Sequence, residues 1–200
     1  MRIVAGTLKG RRIDAPTWEG LRPTSDKLRE TLFNVLAPRI EGARVFDGFA
    51  GTGAIGIEAL SRGAVHVTFI ENNRRAAALI EENLKACGVE GGYTIRCAEV
   101  AVALAAMPPA DAFDLILLDP PYDIENASAT LDAAARRLAG TGLVVLERAT
   151  RREPAEPASL RRTRDVKSGD STLSFFTRRD SGLGTRDCNP ESRIPNPGGE

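Results

Sequence analysis

Cysteine and histidine are scarce in this chain. Cys87, Cys97 and Cys188 are widely spaced and form no C-x-x-C pair, and His66 is the one histidine that could complete a metal site. That excludes a disulfide scaffold and a zinc module, and no metal is expected. Long apolar runs are missing too. Stretches such as Phe113 to Leu118 fall far short of the roughly 18 to 20 residues a membrane-spanning helix needs, and the first residues lack the apolar core of a signal peptide. The expectation is a cytoplasmic protein with no membrane partner. Net charge is also absent, since 27 Lys+Arg balance 27 Asp+Glu, while 42% hydrophobic residues is the share of an ordinary globular chain. At 200 residues the length favours one domain, or one domain with an appendage.

A zero sum hides segregation. Residues 1–29 carry 7 basic and 3 acidic side chains, 30–147 carry 9 and 16, 148–179 carry 9 and 4, and 180–200 carry 2 and 4. The middle of the chain is therefore acidic and both its flanks are basic. Such a pattern is the electrostatic footprint of a polyanion-binding protein with an acidic catalytic body, though uneven solvated charge gives the same count.

From residue 43 onward, strand-length apolar runs alternate with helical patterns. Ala43 to Asp47, Val65 to Glu71, Tyr93 to Cys97, Phe113 to Asp119 and Gly142 to Glu147 have the character of strands. Between them, Ala54 to Arg62, Asn73 to Cys87, Glu99 to Met107 and Glu125 to Leu138 show apolar residues at helical spacing. Near-continuous apolar strands are expected when helices cover both faces, so the fold class is α/β, a doubly wound and mostly parallel sheet. Arg161 to Val166 and Ser171 to Thr177, joined by Lys167-Ser168-Gly169-Asp170, predict a closing hairpin and bring the strand count to seven. Residues 23–37 predict a helix. The expected division is a basic N-terminal hairpin extension over 1–21, an α/β domain over 22–179 and a disordered tail over 180–200, where no apolar period survives.

Two constellations carry chemistry. The first strand runs into Asp47-Gly48-Phe49-Ala50-Gly51-Thr52-Gly53-Ala54-Ile55-Gly56 and then a helix. Its glycines permit a tight turn and close ligand approach, and Gly51-x-Gly53-x-x-Gly56 matches the dinucleotide fingerprint literally. Asp47 at the strand end would repel a pyrophosphate and instead suits a cationic group such as a methionyl ammonium. Glu71, ending the second strand, could accept both hydroxyls of a ribose. As plain structure, either acid would be a helix cap or a solvated strand end. The second constellation, Asp119-Pro120-Pro121-Tyr122, ends the fourth strand. Two prolines remove two donors and fix two φ angles, leaving the Asp119 side chain and the Pro120 carbonyl as preorganised acceptors beside the flat face of Tyr122. That suits a planar substrate with an exocyclic NH2, although an isolated turn is the plain alternative.

On these residues the chain resembles class I S-adenosylmethionine-dependent methyltransferases, Rossmann-like enzymes, in the branch that acts on exocyclic amines. It is more similar still to the RsmD family, the small-subunit ribosomal RNA guanine-N2 methyltransferases. The marks are Arg2-Ile3-Val4-Ala5-Gly6 with Lys9-Gly10-Arg11-Arg12, Arg22-Pro23-Thr24-Ser25-Asp26 with Thr31-Leu32-Phe33-Asn34, Phe46 to Gly53 with Glu58 to Ala64, and Asp119 to Tyr122. The resemblance covers residues 1–179.

It implies a methyltransferase that uses S-adenosylmethionine on the N2 of a guanine in 16S ribosomal RNA, within the small subunit or its assembly intermediate, acting as a monomer. Asp119, Pro120 and Tyr122 are then the catalytic residues. Asp47, Gly48, Phe49, Gly51, Gly53, Glu71, Asn72, Ala98, Glu99, Asp119 and Thr24 are the cofactor-binding ones. Lys9, Arg11, Arg12, Arg22, Arg161, Arg162 and Lys167 are candidates for RNA phosphate contacts, which orient without reading sequence. Arg22, Thr24 and Arg29 could equally belong to a surface helix capped by Thr24 or Ser25. His66 is expected to be a surface residue at a strand edge, and Cys87 and Cys97 small core fillers. Adenine-N6 and protein glutamine-N5 methylation remain alternatives, as do, from other classes, a nicotinamide-dependent oxidoreductase and a noncatalytic RNA-binding protein.

Overall fold

The computed structural model describes residues 1–16, 26–108, 110–121, 127–153 and 157–179. The expectations for Arg22, Thr24, Ser25, Tyr122 and the tail from 180 lie outside the described residues. In chain order the elements are α1 (Asp26–Ile40), β1 (Arg44–Gly48), α2 (Ala54–Ser61), β2 (His66–Glu71), α3 (Arg74–Ala86), β3 (Tyr93–Cys97), α4 (Val100–Ala106), β4 (Phe113–Leu118), α5 (Ala127–Arg137), β5 (Leu138–Ala149), β6 (Leu160–Ser168) and β7 (Ser171–Arg178).

The strands form one sheet in the order β3-β2-β1-β4-β5-β7-β6. Neighbours from β3 to β5 pair in parallel, whereas β7 runs antiparallel to both β5 and β6. Successive side chains on a strand point to opposite faces, and the alternation divides the core. Val45, Val67, Phe69, Leu115, Leu117 and Val145 pack beneath α1, α2 and α3. Phe46, Ile70, Ile116, Leu118, Val144 and Leu146 pack against α4 and α5. Each such buried side chain contributes about 1.5 to 3 kcal/mol relative to an exposed one.

Three expectations need correction. α1 extends to Ile40 through Pro38, because a proline in the last turn forfeits one backbone bond while buried Leu36 and Ile40 hold the turn down. β5 starts at Leu138 rather than Gly142, since Leu138 pairs with Phe113 across a register shift. Cys97 is exposed whereas Cys87 is buried, because β3 is an edge strand with only partial cover. His66 opens the interior strand β2, half-buried, with Nε2 3.1 Å from Thr94 Oγ1. Burial, followed by the nearby Arg44 charge, lowers its pKa.

Residues 1–14 form a hairpin closed at Arg2 and Arg12. Ile3 donates to the Arg11 carbonyl at 3.0 Å and Ile13 to that of Met1 at 3.0 Å. Its alternation puts Ile3 and Ile13 into the core beneath α1 to α3 and leaves Lys9, Arg11 and Arg12 exposed.

Candidate active site

At Gly48 the chain leaves the sheet and reaches α2 through Phe49 to Gly53. Phe49 adopts φ 64° and Gly53 φ 78°. For glycine this is free, but for phenylalanine it costs about 1 to 2 kcal/mol, and such strain concentrates at ligand-binding turns. The turn is closed by Gly53 N–H donating to the Ala50 carbonyl at 2.7 Å and by Ala50 N–H donating to that of Ile70 at 3.0 Å. A Cβ at Gly48 would lie 2.8 Å from Leu118 Cδ2, so the backbone lies flat on β4. Gly56, the last glycine of the literal fingerprint, has another role. A Cβ there would lie 2.1 Å from Phe69 Cε1, so it lets α2 pack onto β2.

The strand-end acids do structural work on the same turn. Asp47, 1% exposed, accepts the Gly56 N–H at 2.9 Å through Oδ2. It thereby caps the third residue of α2, which has no side-chain cap of its own at Gly53. Glu71 accepts the Gly51 N–H through Oε2 and the Asn73 N–H through Oε1, both at 2.9 Å. It ties the glycine turn to the start of α3. Burial pushes the Asp47 carboxyl up to about 7; the Gly56 bond opposes the shift, and the charges of Asp119 and then Glu71 add to it. Three carboxyls crowded in this way make a site that favours a cation.

Asp119 follows β4 directly, half-buried, with its N–H 3.3 Å from the Gly48 carbonyl. The two prolines after it set the chain off at the sheet's carboxyl edge, where folds of this kind bind ligands. Glu147 is a residue that sequence reasoning passed over. It is 9% exposed and accepts from Ser171 Oγ at 2.9 Å. It lines, with Asp119, a narrow cavity of about 10 Å³ walled by Leu28, Leu32, Ile55 and Leu173. No local signal marked it: the pairing of Leu118 with Leu146 puts Asp119, just past β4, in one row with Glu147, within β5.

Asn72 is exposed beside this edge, and its carbonyl accepts from Cys97 Sγ at 3.6 Å. Ala98 donates to the Glu71 carbonyl at 3.1 Å, and Glu99 is the exposed N-cap of α4. Arg161 and Lys167 lie exposed along the outer strand β6, and Arg162 on the same strand pairs with Glu153 at 3.1 Å and Asp165 at 3.3 Å. Lys9, Arg11 and Arg12 sit exposed on the hairpin, and α1 touches both β6 and α2.

A mostly parallel sheet in this strand order, a glycine turn after β1, an acid closing β2 and Asp-Pro-Pro closing β4 define a class I methyltransferase. Residues 1–177 match the family described as Conserved hypothetical protein 95. The chain belongs to that family, the RsmD family of methyltransferases. It is 34% identical over 183 residues to YlbH of Bacillus subtilis, spanning 90% of this chain and all of that one. Ribosomal RNA small subunit methyltransferase D of Haemophilus influenzae is 40% identical over 130 residues, 64% of this chain and 66% of that protein. The solved structure of Escherichia coli yhhF superposes with a TM-score of 0.78 at 33% identity, covering 89% of this chain and 97% of that one.

Proposed function

We propose that this chain transfers a methyl group from S-adenosylmethionine to the exocyclic N2 of a guanine in small-subunit (16S) ribosomal RNA, as a cytoplasmic monomer acting on the subunit or its assembly intermediate. The observation that carries the reading is the position of Asp119-Pro120-Pro121 on the same sheet edge as the acid-lined glycine turn. The residues present fit the cofactor. A Cβ on Gly48 would lie 2.8 Å from Leu118 Cδ2 and Gly53 holds φ 78°, so the turn favours glycine at both places, and the crowded acids favour a cationic ligand. Asp47 would face the methionyl ammonium and Glu71 the ribose hydroxyls, with Asn72, Ala98 and Glu99 around the adenine. Thr24 would contribute from the segment before α1.

When bound, S-adenosylmethionine supplies an electrophilic methyl group on a sulfonium. The protein's part is to make a poor amine nucleophilic and to align it. Asp119 and the Pro120 carbonyl accept the two N–H bonds of the NH2 group, which favours its pyramidal form and frees the lone pair. Transfer would form one N–C bond at the cost of the sulfonium S–C bond, and the amine held by Asp119 and Pro120 would lose one proton to solvent or to Asp119. Bringing the base out of its stack costs a few kcal/mol, which stacking on Tyr122 would offset in part. Lys9, Arg11 and Arg12, with Arg22, Arg161, Arg162 and Lys167, would hold the RNA backbone.

The test is incubation with labelled S-adenosylmethionine and small subunits from a strain lacking its own enzyme, followed by mapping of the labelled nucleotide. Label on guanine N2 is expected; label on an adenine N6 or a protein glutamine would redirect the assignment. Calorimetry should show S-adenosylmethionine binding and no binding of NAD.

A further inference from the structure

Away from the catalytic edge, the most heavily built polar structure lies where residues 1–14 meet the helices. α1 and α3 each contribute one buried polar side chain to it, and α2 contributes two, Glu58 and Ser61. Arg29, fully buried, donates to the Arg2 carbonyl at 2.7 Å and to Met1 Sδ at 3.0 Å, and pairs with Asp26 at 2.8 Å. Glu58, fully buried, accepts the Val4 N–H at 2.7 Å and the Ala5 N–H at 2.9 Å, and pairs with Arg62 Nε at 2.7 Å. The Arg62 guanidinium in turn lies 4.8 Å over the Phe33 ring. Asn83, 1% exposed, accepts the Asp14 N–H at 2.8 Å and donates to the Thr52 carbonyl of the glycine turn at 3.0 Å.

The seam is also tight. Ser61 accepts from Leu8 N–H at 2.9 Å, and its carbonyl accepts from Thr7 N–H at 2.8 Å. Gly6 has φ +82°, and a Cβ on it would lie 1.8 Å from the Ser61 carbonyl oxygen. The hairpin backbone is flush against the end of α2.

A disordered basic arm could touch phosphates without any of this. A buried carboxylate is tolerated only where hydrogen bonds and a counter-charge compensate its desolvation, and two of the bonds to Glu58 come from the hairpin backbone. α2 also begins at the glycine turn, with its Gly56 N–H held by Asp47. One helix thus grips the cofactor turn at its start and the hairpin near its end.

We propose that Glu58 is a positioning residue for RNA. By pinning Val4 and Ala5 it holds Lys9, Arg11 and Arg12 at a fixed distance and orientation from Asp119, so that phosphates gripped by the hairpin bring the target base to the catalytic edge. This inference rests on the reading of the hairpin as an RNA surface given under Proposed function.

The experiment compares Glu58→Gln with a Lys9→Ala, Arg11→Ala, Arg12→Ala triple variant in the full chain, using small subunits that lack the modification. Gln keeps the size of Glu58 but sets an NH2 against a backbone N–H. For Glu58→Gln, KM for the subunit should rise roughly tenfold, as expected for one or two misplaced phosphate contacts. Its kcat at saturating substrate and its affinity for S-adenosylhomocysteine should stay within about twofold, and amide exchange at Val4 and Ala5 should quicken while that of β1 does not. The triple variant should raise KM and lower its salt dependence. If the triple variant raises KM and Glu58→Gln does not, the positioning role is overturned while the RNA surface stands. An unchanged KM in the triple variant removes the RNA surface, and the inference with it. Equal losses in kcat, cofactor affinity and KM for Glu58→Gln overturn the inference by making the role merely structural. Should Glu58→Gln fail to fold, Gly6→Ala, which pushes the hairpin off α2 from outside, is judged by the same outcomes.

Discussion

Asp47 ought to impose opposite pH dependences on folding and on cofactor binding. Its carboxyl stands at about 7 instead of the ordinary 3.8, chiefly because it is buried. From about pH 4 to about pH 7 the folded chain therefore holds a proton on Asp47 that the unfolded chain has lost. The contribution of Asp47 to stability declines as pH rises through that window and is flat above it. At ~1.4 kcal/mol per unit, the ionised folded state at pH 8 carries a penalty on the order of 4 kcal/mol. Asp47→Asn removes the charge while keeping an oxygen for the Gly56 N–H. The ligand-free variant should gain up to that amount at pH 8 and nothing near pH 4, as measured by urea denaturation. Cofactor binding behaves the other way. A carboxyl with a pKa near 7 is about one tenth ionised at pH 6 and about nine tenths at pH 8. The affinity for S-adenosylhomocysteine, which carries the same ammonium, should then rise roughly ninefold across that interval, with proton release visible by calorimetry in buffers of different ionisation enthalpy. In Asp47→Asn that pH dependence should vanish and binding weaken. A flat stability difference between variant and wild type from pH 4 to pH 8, or equal affinities at pH 6 and pH 8, refutes the reasoning.

Asp119→Ala should abolish methyl transfer while largely preserving cofactor affinity, and it should move the pH midpoint of cofactor binding downward, because the Asp119 charge helps raise Asp47; surviving transfer would remove the amine-gripping role. Gly56→Ala should lower the urea midpoint by about 1 to 3 kcal/mol of stability or more, since its Cβ would meet the Phe69 ring at 2.1 Å, and unchanged stability would mean that α2 and β2 are less tightly packed than described. Cys97, exposed, should be alkylated by iodoacetamide well before Cys87, whose thiol is buried and pushed up in pKa by that burial; peptide mapping that finds equal rates would contradict the burial of Cys87.

Much of the site was legible because it is written locally. A strand announces its own end, so Asp47, Glu71 and Asp119 could be placed at the carboxyl edge from run lengths alone, and Asp-Pro-Pro restricts its own backbone. What those acids hold was not legible. Asp47 caps a helix nine residues onward, and Glu71 reaches back 20 residues to Gly51. Which carbonyls and amides lie within reach depends on the crossing of α2 over β1 and β2. Cys97 was misjudged for the same reason, since an edge strand and an interior strand can share an apolar pattern and only the strand order separates them.

Periodicity and chain stiffness act over a few residues, and they suffice for the element types, the α/β class and the strand-end positions of the acids. The tertiary structure alone decided that Glu147 shares a row with Asp119, that Gly56 belongs to helix packing, and that Arg29, Glu58 and Asn83 bind the basic hairpin. Those bonds span 27, 54 and 69 residues. A buried polar group must find its partner wherever the fold places one, and no local pattern specifies that partner.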